Sequence, residues 1–251
     1  MSGTRPLAGR IAIVTGAADG IGRAIALVLA EHGAAVAIVD VDPEGVTVAQ
    51  AISDEGGRAT FVAADVSDPA SVEAMATAVT DRLGPADILV NNAAIISRSA
   101  FTDLTWDEWR RVIGVNLHGP FLCAKALVPQ MIGEGFGRIV NVASGLGVTG
   151  GVNASAYATS KGGLIAFTKC LARELAASGV TANVLVPGLS DTGMPRRGQS
   201  DEEIRALVEQ IPMRRLAQPR EVAEYVAFIV GPSCGYVTGQ TLFVNGGWFM
   251  P

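Results

Sequence analysis

Short apolar runs alternate with longer stretches in which apolar positions recur every three or four residues, from one end of the chain to the other. The runs read as buried strands over Arg10–Thr15, Ala35–Asp40, Ala59–Ala63, Ile88–Asn91, Gly137–Ala143, Thr181–Val186 and Thr241–Val244. Between them the longer spacing predicts helices over Gly20–His32, Pro43–Glu55, Pro69–Leu83, Trp106–Ile132, Ala156–Ala177 and Glu221–Val230. Gly33 stops the first helix, and Asp68 caps the third with Pro69 at its first position. Continuous apolar strands separated by helices imply a parallel sheet covered on both faces. No repeat, charge run or linker divides residues 1–251, so one α/β domain is expected. Only Leu189–Arg215 breaks the rhythm. It is polar and turn-rich around a short helix at Asp201–Gln210, and a connection that long is expected to be a substrate-binding flap.

Composition narrows the function. With 49% hydrophobic and 17% charged residues the chain can bury a sizeable core. A net charge of −5 argues against nucleic acid as a partner. The three cysteines (Cys123, Cys170, Cys234) form no CxxC pair, and with only two histidines no metal site is expected. The start lacks an apolar signal segment, and runs such as Ala24–Ala30 fall far short of a membrane span. The expectation is a cytoplasmic protein without a membrane partner.

The first strand runs into Thr15-Gly16-Ala17-Ala18-Asp19-Gly20-Ile21-Gly22, which opens a helix. Glycines at 16, 20 and 22 let the backbone approach a pyrophosphate, whose charge then sits at the helix N-terminus. The spacing is GxxxGxG, and an ordinary strand–helix turn is the competing reading of it. The second strand ends in Asp40, the position from which a carboxylate reaches both hydroxyls of an adenosine ribose. Asp40 would repel a 2′-phosphate, and neither Asp19 nor Val41 offers it a cation, so NAD is favoured over NADP.

Ser144 follows the fifth strand, and Tyr157 and Lys161 lie one helical turn apart on one face. A phenol has a pKa of about 10, and a neighbouring cation lowers it towards a usable general base. At this point the whole chain resembles the short-chain dehydrogenase/reductase family in its compact form. The resemblance rests on Thr15–Gly22, Asp65-Val66, Asn91-Asn92-Ala93-Ala94, Asn116, Ser144 with Tyr157-Ala158-Thr159-Ser160-Lys161, Asn183, Pro187-Gly188, Val237-Thr238-Gly239-Gln240 and Val244-Asn245-Gly246-Gly247. Ala94 stands where the family commonly has glycine, and Asn245 where it often has aspartate.

The resemblance implies a doubly wound (Rossmann) sheet of about seven strands, an NAD cofactor and a homotetramer formed through the two long helices. It also implies roles. Gly16, Asp19, Gly20, Ile21 and Gly22 would cradle the pyrophosphate side, and Asp65 and Val66 would edge the adenine. Asn91 would hold the sheet, and Asn92, Ala93 and Ala94 would flank the ribose. Pro187, Gly188 and Thr192 would sit by the nicotinamide. Ser144 would polarise the substrate oxygen and Tyr157 exchange the proton. Lys161 would hold the ribose and lower the tyrosine pKa, and Asn116 would complete a water-linked relay. The expected substrate lining is Ile95, Ile96, Leu146, Val148, Val152, Leu189 and Met194 around Ser144 and Tyr157, with Asn153 as the polar group.

A serine hydrolase is excluded, because Ser144 lies in no GxSxG elbow and lacks a partner histidine. A non-catalytic NAD-binding protein would not need all of Asn116, Ser144, Tyr157 and Lys161. The apolar lining favours a small hydrophobic secondary alcohol or ketone as substrate. The alternative is a 3-oxoacyl-[acyl-carrier-protein] reductase, which usually prefers NADPH and docks its acidic carrier on basic residues. Here the stretch before the fifth strand, Gly133-Glu134-Gly135-Phe136-Gly137, carries none.

Overall fold

The computed structural model describes residues 5–193 and 200–250. Seven strands, β1 (Ile11–Thr15), β2 (Ala35–Asp40), β3 (Arg58–Ala63), β4 (Ile88–Asn91), β5 (Gly137–Val142), β6 (Val180–Pro187) and β7 (Thr241–Val244), form one sheet in the order β3-β2-β1-β4-β5-β6-β7. Every pairing is parallel. The central strands are buried on both faces, which explains their uninterrupted apolar runs.

Alternate residues of each strand serve two cores. Ala12 and Val14 face helices α1 (Gly20–Glu31), α2 (Gly45–Asp54) and a late helix, Pro219–Val230. Ile11 and Ile13 face α3 (Pro69–Leu83) and residues of the two long helices further along the chain. The strand order reverses between β1 and β4, and the crevice beyond their carboxyl ends is where such sheets take ligands.

The long predicted helix over 106–132 is built in three parts: α4 (Trp106–Ile113), one π-helical turn (Gly114–His118) and α5 (Gly119–Gly133). Thr105 caps its start by accepting from Glu108 N at 3.2 Å. Because the parts are continuous, Trp106–Gly133 is long and apolar enough to cross a membrane by length and composition, contrary to the expectation from uninterrupted runs alone. Here its Cys123, Ala124, Leu127 and Met131 pack into the core. A short α6 (Leu146–Thr149) precedes α7 (Ser155–Leu175). Beyond β6, α8 (Asp201–Gln210) begins in a capping box of Ser200 and Glu203, and α9 (Pro219–Val230) follows. Ser190 and Ala217 bridge the two roots of the expected flap.

Candidate active site

A cavity of about 560 Å³ opens over the carboxyl ends of β1, β2 and β4. It is lined by Gly16, Asp19, Gly20, Ile21, Gly22, Asp40, Asp65, Val66, Asn92, Ala93, Ala94, Ile95, Tyr157, Lys161, Pro187 and Thr192, all expected site residues. Close backbone approach explains the glycine turn. A Cβ on Gly16 would lie 2.7 Å from Ala93 Cα, and one on Gly22 2.1 Å from the Gly16 carbonyl oxygen. Asn92 locks this corner by donating to the carbonyls of Thr15 and Gly16 at 3.0 and 2.9 Å. Thr15 Oγ1 in turn accepts from the backbone N–H groups of Asn92 and Ala93, both at 3.1 Å. Asp40 aims back at the turn, with Oδ2 accepting from Ala18 N at 2.9 Å. A helix N-terminus beside a rigid glycine cradle and a strand-end carboxylate fits a dinucleotide.

Next to this cradle lies the candidate catalytic group. Tyr157 and Lys161 are buried on α7. Lys161 Nζ donates to the Val142 carbonyl at 2.7 Å and lies 5.8 Å from the Tyr157 ring centre. Burial pulls the Lys161 ammonium down to about 7. The Tyr157 phenol is pushed up by burial, and its hydrogen bond with Ser144 and the positive charge of Arg98 act against that rise. In the protein alone the groups that hold the phenol down are Ser144 and Arg98.

Asn116 sits in the π-helical turn, fully buried. Its Oδ1 accepts from Ile95 N at 2.9 Å, and its Nδ2 donates to the Ile95 carbonyl at 2.9 Å and to Ser160 Oγ at 3.1 Å. The side chain thus clamps the segment after β4 to α7, a role the sequence did not indicate. Asn91 extends the clamp through the sheet, donating to Asn141 Oδ1 at 2.8 Å; Asn141 donates to Thr168 Oγ1 at 2.8 Å. Asn141 and Thr168 were invisible as site supports because a polar residue inside a strand or helix gives no periodic signal.

The expected substrate lining is only partly assembled. Ile95, Ile96 and Leu146 pack with Tyr157. Val148 and Val152 are 43% and 92% exposed. Asn153 is exposed, with left-handed backbone at φ 56°. Leu189 and Gly188 line a second cavity of about 420 Å³ with Ile211, Met213 and Phe243, while the adjacent Pro187 lines the main one. Gly188 N donates to the Val244 carbonyl at 2.8 Å, which extends the β6–β7 ladder past Pro187. Met194 lies outside the described residues. Arg111, which gave no sequence signal, joins the cavity wall with Ser67 and Val115. Among the described residues no cluster of metal-ligating side chains occurs.

Comparison with known proteins agrees with this geometry. Residues 16–249 match the family model described as enoyl-(acyl carrier protein) reductase. The chain is 43% identical to 3-oxoacyl-[acyl-carrier-protein] reductase FabG of Vibrio cholerae over 97% of this chain and 99% of that one. It is 42% identical to cis-4-hydroxycyclohexanecarboxylate dehydrogenase of Sinomonas cyclohexanicum, over 95% of this chain and 96% of the other. A crystal structure from Beutenbergia cavernae, provisionally named an NAD(P)-dependent gluconate 5-dehydrogenase and holding NADP at low occupancy, superposes with a TM-score of 0.93. It is 38% identical, covering 98% of this chain and 99% of that one.

Proposed function

The chain belongs to the short-chain dehydrogenase/reductase family of oxidoreductases acting on CH–OH groups, and on that premise we propose that it interconverts a 3-oxoacyl group and its 3-hydroxyacyl counterpart with NAD(H). The observation that carries the reaction type is the convergence of Ser144, Tyr157 and Lys161 beside a dinucleotide-sized cavity. When bound, the cofactor supplies or accepts the hydride. The glycine turn, Asp40 and Lys161 would hold it. Ser144 orients the substrate oxygen and Tyr157 moves the proton at that atom. Burial raises the Tyr157 phenol while Ser144 and Arg98 oppose the rise; the group donates to a ketone oxygen in reduction and takes the proton back from the alcohol in oxidation.

The 3-oxoacyl substrate is favoured over the simple hydrophobic alcohol by the 43% identical reductase. NAD is proposed on the Asp40 geometry, although a structural relative holds NADP. A second reading, a hydroxycarboxylate substrate, is favoured by the positive charge of Arg98 acting at Tyr157 and by the names of two relatives. We further propose self-association through the outer faces of α5 and α7, where the half-exposed Phe121 stacks edge-on to Phe167.

The deciding experiment is turnover of a 3-oxoacyl thioester, free and carrier-bound, beside cis-4-hydroxycyclohexanecarboxylate and a plain cyclic ketone. Highest kcat/KM on the thioester supports the proposal, and highest on the hydroxycarboxylate transfers it to the second reading.

A further inference from the structure

Gly145, the residue after Ser144, has ordinary right-handed backbone angles (φ −52°, ψ −36°), so its conformation does not demand glycine. What demands it is the far end of the chain. A Cβ on Gly145 would lie 2.2 Å from Cε1 and 2.3 Å from Cζ of Phe249. That ring meets Phe243 edge-on, with centroids 5.4 Å apart at 84°, and packs with Ala143, Val184 and Val186 beneath β5 and β6. Its backbone is clasped as well. Asn245 Nδ2 donates to the Phe249 carbonyl at 2.7 Å, while Asn245 Oδ1 accepts from Gly247 N at 3.0 Å. An aspartate at 245 would keep the acceptor and set a carboxylate against the carbonyl, so the asparagine at this position has a job.

The opposite side of the same turn is equally tight. A Cβ on Gly147 would lie 2.7 Å from the Lys161 backbone carbon. The turn carrying Ser144 is therefore gripped between α7, which bears Tyr157 and Lys161, and the ring of Phe249. Interiors packed this closely pass on displacements instead of absorbing them.

We propose that Phe249, clasped by Asn245, is a positioning residue that sets the place of Ser144 relative to Tyr157. The inference rests on the roles proposed above for those two residues. Phe249 is not among the residues that line the dinucleotide cavity, and it packs in a different apolar cluster from Tyr157.

The test is a double-mutant cycle, because a merely structural ring and a positioning ring differ in how they couple to residue 145. Phe249→Ala should lower kcat at least tenfold and leave the dinucleotide Kd within about twofold. Its kcat–pH profile should move upwards, since a loosened Ser144 no longer holds the phenol down. Phe249→Leu, which keeps an apolar plug, should recover most of the loss. Gly145→Ala should lower kcat at least as far as Phe249→Ala, and the double variant should regain at least fivefold over Gly145→Ala, because the new methyl then has room. Asn245→Asp should reproduce the Phe249→Ala phenotype more mildly. If Phe249→Ala does not fold, the Gly145→Ala and Phe249→Leu pair carries the same cycle. A double variant no better than Gly145→Ala, or a normal kcat in Phe249→Ala while Ser144→Ala is inactive, overturns the proposal and leaves the reaction intact. A fully active Ser144→Ala would overturn the reading beneath it instead.

Discussion

Replacing Asp40 by Ser and Val41 by Arg isolates the basis of cofactor choice. The Asp40 carboxylate ends β2 and already accepts the Ala18 N–H at 2.9 Å, so its charge is fixed beside the glycine turn. In the wild type a ribose diol gains hydrogen bonds to a charged acceptor, each worth about 1.5–3 kcal/mol. A 2′-phosphate loses one of these and meets a like charge, which at ~4 Å costs about 1 kcal/mol in water and about 4 kcal/mol near a protein surface. Asp40 is half-exposed, so the lower Coulomb value governs, and the sum is about 2–4 kcal/mol, or roughly 30- to 1,000-fold in favour of NAD. Val41 is 69% exposed, so an arginine there has room to reach a phosphate without disturbing the core. Initial rates with NAD and NADP give kcat/KM for both proteins. The wild type should prefer NAD by at least 30-fold, and the double variant should lose or invert that preference. Wild-type values within threefold of each other would refute the role assigned to Asp40 while leaving the fold untouched.

Other expected outcomes follow from the same geometry. Burial holds Lys161 at about 7 against an ordinary value of 10.5, so its ammonium is disfavoured by folding. Stability of the cofactor-free protein should therefore rise with pH from about 7, by up to ~1.4 kcal/mol per unit, and the rise should fade above about 9, where the Cys123 thiol, pushed up by burial to about 12, acts in the opposite sense. Urea melts should show that slope, and Lys161→Met should abolish it. Gly22→Ala should raise the dinucleotide Kd at least tenfold and lower the Tm, because its methyl would stand 2.1 Å from the Gly16 carbonyl oxygen. Gly133→Ala, with nothing within 4 Å of its Cβ, should leave both unchanged when binding and melting are compared.

Strand and helix order was readable in the sequence because the central strands are buried on both faces and the helices around them on one, so burial wrote itself into the apolar spacing. The helix Pro69–Leu83 and the strand Ile88–Asn91 fall where the pattern predicts them. The dinucleotide cradle was equally legible, since its glycines are required by backbone contacts that recur wherever a chain turns under a pyrophosphate. The π-helical turn at Gly114–His118 was not, because one inserted residue leaves the apolar spacing nearly unchanged. Nor was the substrate side legible. Its apolar residues near 148–152 look buried in sequence and stand exposed in the fold, and the packing of Phe249 on Gly145 joins residues 104 positions apart (249 − 145) through contacts that no local pattern encodes.

The central claim is that Tyr157, oriented with Ser144, moves the proton while other groups bind the cofactor. Single-turnover absorbance of the reduced nicotinamide, in protein preloaded with cofactor, tests it in wild type and Tyr157→Phe. The expected result is a rate lowered by at least 1,000-fold with the dinucleotide Kd changed less than threefold. A Tyr157→Phe protein that retains more than a tenth of the wild-type rate would contradict it.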